Sequence, residues 1–263
     1  MMKLTVITIC YNEKSTIKQT IESVLAQDFT DFEYIIVDGK STDGTMEIIN
    51  EFSDKFSLVI SEEDSGIFDA MNKGVVHAAG EYVIFMNAGD YFVNNTVLTD
   101  VFNLNSDADL IYGDVIFKYS NGILMRRKSP KVLNKAYFYI DSLNHQTTFI
   151  RKELFEKYGL FDTSLKITSD YDFILKVIYS QNCSTVYISI PVSVFNLNGV
   201  SSHKDFFKLQ NKERRICLNR YYSKKELKKY DNIWFYYELF YKKLRYARFL
   251  FLSIISKRYL YGK

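Results

Sequence analysis

Residues 81–90 read EYVIFMNAGD. An apolar run ends abruptly in Asn87-Ala88-Gly89-Asp90. A short unbroken run of β-branched and aromatic side chains suits a strand buried on both faces of a parallel sheet. A carboxylate directly after such a strand is well sited to ligate a hard divalent cation through oxygen. The common arrangement has two acids two or three residues apart. Here Asn87 holds the first place and Asp90 alone carries charge.

Working outward, the same strand-then-polar-loop pattern recurs three times upstream. KLTVITICY (3–11) and FEYIIVDG (32–39) each read as a buried strand, and FSLVISEED (56–64) reads as a third strand. Between them lie helical segments. NEKSTIKQTIESVLAQ places Ile17, Ile21, Val24 and Leu25 on one face, with Ser15 or Thr16 at its start. GIFDAMNKGVVHAAG is helical, with Gly80 expected as its C-cap. This alternation predicts an α/β domain with a mainly parallel central sheet flanked by helices. After residue 100 the rhythm changes. ADLIYGDVIF reads as a strand, Asn121-Gly122 as a turn, KELFEKYGLFD as a short helix with a glycine stop, SDYDFILKV as a longer helix, and STVYISIPVSVFNLN as a strand.

Composition excludes several classes. Apolar residues make up 47% and charged residues 25% of the 263, as in ordinary globular proteins. Cys10, Cys183 and Cys217 are far apart and odd in number, which fits a reducing cytosol better than a disulfide framework. The N-terminus reads as a strand and not as a signal peptide, and no stretch approaches the roughly 18 apolar residues of a membrane span. The net charge of +3 hides an asymmetry. Residues 201–263 carry 17 Lys+Arg against 5 Asp+Glu, whereas the first 200 residues carry 17 against 26. The expected division is therefore an acidic body, 1–204, and a helical, basic, aromatic C-terminal extension, 205–263.

In an open α/β sheet, ligands bind at the carboxyl ends of the strands. The four loops expected on that rim contain Tyr11-Asn12-Glu13, Asp38-Gly39-Lys40-Ser41, Glu62-Glu63-Asp64-Ser65 and Asn87–Asp90, all polar and three of them acidic. No backbone cradle for phosphate is present. Gly39-Lys40-Ser41 lacks the Walker glycine, Tyr34 standing in its place, and the turn after the first strand has no glycine. A diphosphate on this rim would need another counter-charge, and a divalent cation held by carboxylate oxygen is the natural one.

Taken together, TVITICYNE, IIVDGKSTDGT, EEDSGIFDAMNKG, GEYVIFMNAGD, NHQTTFIRKELFEKYGLFD and SDYDFILKV resemble family 2 glycosyltransferases of the nucleotide-sugar-binding GT-A fold. The resemblance spans roughly residues 3–200. The DSGIFDAMNKG and NAGD variants are similar to those of bacterial capsule, colanic-acid and O-antigen transferases. It implies that Thr8, Tyr11 and Glu13 line the nucleotide pocket, with Tyr11 against the base. It implies that Asp38 accepts from a base N–H, as uracil offers. Asp69, Asn72 and Lys73 would lie near the ribose, diphosphate or sugar. Asn87, Ala88 and Gly89 would approach the donor, and Asp90 would ligate Mg²⁺ or Mn²⁺. Asp170 matches the position of the catalytic base, although Ser169 replaces the acid that usually precedes it. His145, Ser201 and His203 are implied acceptor or diphosphate contacts. Arg126, Arg127 and Lys128 read as a solvated basic loop.

The resemblance implies an inverting, metal-dependent transfer from a nucleotide-diphosphate sugar, UDP-linked by the Asp38 expectation. The acceptor would be a glycan or lipid-linked glycan of a growing surface polysaccharide. The aromatic and basic tail suits an anionic membrane surface, placing the enzyme peripherally on the cytoplasmic face of the plasma membrane. Packing of the tail on the body or in a homodimer is the alternative. No nucleic-acid motif is present. The competing function is a catalytically inactive relative that still binds nucleotide sugar, which the uncharged Asn87 and the lost acid before Asp170 favour.

Overall fold

Strand β1 (Leu4–Cys10) is buried at every position and β2 (Phe32–Asp38) at all but its first. Unbroken apolar, β-branched sequence is what a strand covered on both faces requires. The two pair in parallel from Leu4 opposite Phe32 to Cys10 opposite Asp38. The structure, a computed structural model, describes residues 2–179, 183–197 and 206–236. It divides into two units, Met1–Cys217 and Leu218–Lys263. The division expected from the sequence lies at residue 204.

The chain continues through α1 (Ile17–Leu25), α2 (Thr45–Asn50), β3 (Leu58–Ser61), α3 (Ile67–His77), β4 (Tyr82–Phe85), β5 (Tyr91–Phe92) and α4 (Val97–Phe102). Then follow β6 (Leu110–Lys118), β7 (Leu124–Arg127), α5 (Lys135–Ile140), β8 (Thr148–Arg151), α6 (Glu153–Tyr158), α7 (Ser169–Tyr179), β9 (Thr185–Asn196) and α8 (Phe206–Tyr221). Among the described residues the sheet order is β3-β2-β1-β4-β8-β6-β9-β5, with β7 paired on β6. The β3-β2-β1-β4 half is wholly parallel. Beyond it the sheet is mixed. Strand β8 runs antiparallel to β4 and β6, β5 to β9 and β7 to β6, while β6 and β9 are parallel. Pro191 sits opposite Asp114 at an irregularity in the β6–β9 ladder, where its missing N–H costs least.

Two glycines depart from the sequence reading or explain it. Gly80 is not the cap of α3, whose C-cap is Ala78 in an extended conformation. Gly80 is instead needed for close approach, because a Cβ there would lie 2.4 Å from the backbone of Leu4 and Thr5. Its N–H donates to Thr5 Oγ1, which in turn donates to the buried Glu33. Gly159, by contrast, ends α6 at φ 83°, as expected of a glycine stop. Thr16 stands at the N-cap of α1 without capping it, since its hydroxyl donates to Glu13.

An aromatic cluster fixes α7 against the sheet. Phe173 stacks on Phe155 at 4.4 Å, and Phe161 packs against Phe173, Phe155 and Phe85. Such contacts bury large apolar area and favour specific ring geometries. They bring the start of α7 toward the carboxyl end of β4. Arg126 and Arg127, at the end of β7, are partly exposed as expected but also paired. Arg126 binds the fully buried Asp114, and Arg127 pairs with Asp141. No helix among the described residues is long and apolar enough to cross a membrane.

Candidate active site

The chain stays beside β1 after β4 ends. Met86 N–H donates to Ile7 O and Ala88 N–H to Ile9 O, so the segment that follows is carried to the rim. There Asn87–Asp90 closes a tight turn, with Asp90 N–H donating to Asn87 O at 2.9 Å and Gly89 at φ 96°. A side chain is disfavoured at that φ. Thr20 clasps the turn: its Oγ1 accepts from Gly89 N–H and donates to Asp90 O at 2.7 Å.

The Asp90 side chain is only 5% exposed, with Oδ1 accepting from Asn196 N–H at 3.1 Å. Burial raises its pKa to about 7, against a smaller opposing pull from His145; the charge of Glu13 adds to the rise. A carboxylate so costly to ionise alone is well matched to a positive partner.

His145 joins two elements. Its Nε2 lies 3.1 Å from Asn87 Nδ2 and its Nδ1 lies 3.2 Å from Asp170 Oδ2. With the amide donating to Nε2, the ring proton sits on Nδ1 and is given to Asp170. Asp170 is the second residue of α7; its Oδ1 accepts from Tyr171 N–H, and its side chain is 22% exposed. One carboxylate oxygen is thus oriented by the imidazole at a partly open position.

This pairing leaves Asn87 Oδ1 buried and without a hydrogen-bond partner among the described residues. A buried orphan oxygen is expensive unless a donor or cation meets it. Among the described residues no group of three or more His, Cys, Asp or Glu could hold a metal. The donors present are one carboxylate and one amide oxygen on the same turn. They fit a hard cation that takes its remaining ligands from water and a bound diphosphate.

The other loops meet beside Tyr11. Its ring is 61% exposed, and a Cβ at Gly39 would stand 3.3 Å from Tyr11 Cδ2 and 2.5 Å from Asp64 Oδ2. Asn12, at φ 55°, stitches the first loop to the second: its N–H donates to Ser41 Oγ and its Oδ1 accepts from Thr42 N–H. The open ring face suits a stacked base.

Several residues expected to face the donor are spent on the framework. Thr8 is fully buried, with its hydroxyl between Tyr34 OH and Met86 O. Asp38 has no exposed surface; Ser41 N–H, Ser41 Oγ and Ser61 Oγ donate to its two oxygens. Asn72 clamps the backbone of Phe161 through both amide atoms. Lys73 is held by Glu62 and Glu63 O, and its charge is balanced by Glu62 and Asp69. Asp69 accepts from Ser65 N–H at the start of α3. Glu13 accepts the Thr16 hydroxyl and stays half-buried near Asp90. Ser201 and His203 lie outside the described residues. Sequence reasoning missed Thr20, which sits on an ordinary helix face with no local signal. It also missed Asp64 as a wall beside Tyr11.

The profile of "Glycosyl transferase family 2" matches residues 5–160. A "PGL/p-HBAD biosynthesis glycosyltransferase" of Mycobacterium bovis is 30% identical over 207 residues, covering 75% of this chain and 79% of that protein. Among solved structures, S. aureus TarS 1–349 in complex with UDP-GlcNAc is 25% identical, with a TM-score of 0.64, covering 82% of this chain and 66% of that one. The same protein in complex with UDP is 27% identical, with a TM-score of 0.61 and 74% and 60% coverage. This chain thus spans about three fifths of the TarS chain. The mannosyltransferase PcManGT of Pyrobaculum calidifontis, in complex with GDP-Man and Mn²⁺, shares the fold at 21% identity and a TM-score of 0.57. The match across more than half of its length shows that this chain belongs to glycosyl transferase family 2.

Proposed function

We propose that the protein transfers a sugar, with inversion, from a UDP-linked donor to a hydroxyl of a growing, lipid-linked surface glycan. The observation that carries this reading is the His145 bridge, which ties Asp170 of α7 to the Asn87–Asp90 turn. A proton acceptor and a diphosphate-facing oxygen pair thereby belong to one connected unit. The UDP and UDP-GlcNAc bound in the two TarS structures support the choice of base.

Tyr11 stacks on the base, and the loops around Gly39 and Asp64 wall its edge. The fully buried Asp38 contributes to the base site by shaping the Ser41 loop. Asp170, held by His145, accepts the proton of the acceptor hydroxyl. That oxygen attacks the anomeric carbon from the face opposite the diphosphate. The carbon–oxygen bond to the diphosphate breaks, its electron pair leaves on the nucleotide, and configuration inverts. Asp90 and Asn87 Oδ1 would hold Mg²⁺ or Mn²⁺, which supplies positive charge to the leaving diphosphate. The basic, aromatic sequence after residue 205 would bring the catalytic body to anionic lipid carrying the acceptor, at the cytoplasmic face.

Replacing Asp170 by Asn tests the assignment. UDP affinity is expected to stay within about twofold, while UDP release from nucleotide sugars falls by at least about 100-fold. Near-wild-type turnover in D170N overturns the base assignment. If the wild-type protein binds UDP but releases it from no UDP- or GDP-sugar with Mn²⁺, the inactive-relative reading replaces this one.

A further inference from the structure

Glu213 lies on α8, beyond the body that the sequence assigned to the chemistry, yet within the first unit. It is a carboxylate only 4% exposed, and no lysine or arginine compensates it in an ion pair among the described residues. Instead, three consecutive backbone N–H groups converge on it. Lys166 N–H donates to Oε1 at 2.8 Å; Ile167 and Thr168 N–H donate to Oε2 at 2.9 and 3.1 Å. Thr168 Oγ1 adds a fourth contact at 3.3 Å. These residues lead directly into α7, whose first two residues are Ser169 and Asp170. A helix start leaves backbone donors unpaired and favours negative charge. Here Glu213, on a distant helix, supplies the acceptor oxygens and the negative charge.

The next residue binds the other side of the same site. Arg214 Nη2 donates to the carbonyls of Phe138, Tyr139 and Asp141, and its guanidinium carbon lies 4.3 Å from the Tyr171 ring centroid. Tyr171 OH donates to Phe138 O at 2.5 Å. One turn of α8 therefore grips the segment leading to His145 with Arg214 and the segment leading to Asp170 with Glu213.

We propose that Glu213 is a positioning residue for Asp170: its carboxylate fixes the backbone entering α7, and so sets where Asp170 stands relative to His145. The inference rests on the reading of Asp170 as the base. Catalytic groups gain most when their supporting contacts hold them within fractions of an ångström.

The test uses the full chain, with E213Q, E213D and D170N measured in parallel. Readouts are hydrolysis of the UDP-sugar that wild type turns over fastest, the Kd of UDP, and thermal unfolding. E213Q keeps the side-chain shape but sets an amide against backbone donors, whereas E213D keeps the charge with a shorter reach. The expected result is a kcat loss of about 10-fold or more in E213Q, with UDP Kd within about twofold and cooperative unfolding, and partial recovery in E213D. Wild-type kcat in E213Q overturns the inference, as does a loss of kcat matched by an equal loss of UDP binding. If E213Q does not fold, E213D decides. Reduced kcat at unchanged UDP Kd supports the proposal, and wild-type kcat overturns it. Activity in D170N sinks the base assignment itself. An inactive D170N beside a fully active E213Q sinks only the role of Glu213.

Discussion

His145 Nδ1 lies 3.2 Å from Asp170 Oδ2, and the opposite nitrogen of the same ring lies 3.1 Å from Asn87 Nδ2. The imidazole is thus a spacer of fixed length between the end of β4 and the start of α7. Replacing His145 by Ala removes the spacer and leaves the base-binding loops untouched. Turnover is expected to fall about 10- to 100-fold with UDP affinity unchanged. Steady-state kinetics with a parallel UDP titration checks this; an equal loss in both would mean that His145 holds the donor instead.

Tyr11 offers an open ring face and no buried hydroxyl bond. Y11A is expected to weaken UDP binding by about 10-fold or more, as loss of one base stack does, while Y11F stays near wild type. Calorimetric titration of the two variants distinguishes a stacking ring from a hydroxyl contact. Equal losses in both would contradict stacking.

Asp90 carries an unfavourable charge in the ligand-free protein. Because burial raises its folded pKa to about 7 from 3.8, the folded state binds its proton more tightly than the unfolded chain. The contribution of Asp90 is therefore intact below about pH 4 and lost as pH rises through about 7, costing at most about 4 kcal/mol. D90N is expected to unfold at a higher temperature than wild type at pH 8 without ligand, and to lose that advantage near pH 4. The same variant is expected to lose any Mn²⁺-dependent gain in UDP affinity. Melting curves across pH, repeated with UDP and Mn²⁺ or EDTA, read both effects. A less stable D90N at pH 8 would contradict the first.

Gly80 is a packing requirement of the parallel half-sheet. A methyl group there meets backbone of β1, which cannot swing away as a side chain can. G80A is expected to cost about 2 kcal/mol or more in urea unfolding. A cost below about 0.5 kcal/mol would mean that the junction between α3 and β4 yields easily.

The first half of the fold was legible because β1, β2 and β4 are buried on both faces and announce themselves by composition alone. Gly80 was misread because a glycine after a helix has two common uses, capping and close approach, and only the neighbouring strand distinguishes them. The ion pairs of Arg126 and Arg127 were not legible because their partners, Asp114 and Asp141, come from other elements. Of the site, Tyr11 and Asp90 were legible from their places after strands. Thr8 and Asn72 share those motifs yet spend their polar atoms on Tyr34, Met86 and Phe161. Type and spacing do not encode which way a side chain is satisfied.

The sequence by itself determined the alternation of buried strands and helices, and with it the rim where four polar loops gather. Local periodicity and burial are enough for that, since they follow from side-chain order along the chain. Only the tertiary structure decided that Asn87, His145 and Asp170 form one hydrogen-bonded line, and that Glu213 and Arg214 grip the segments feeding it. Those contacts join residues 25 to 76 positions apart. Each depends on where a whole element docks, which the aromatic packing of α6 and α7 settles and no local pattern records.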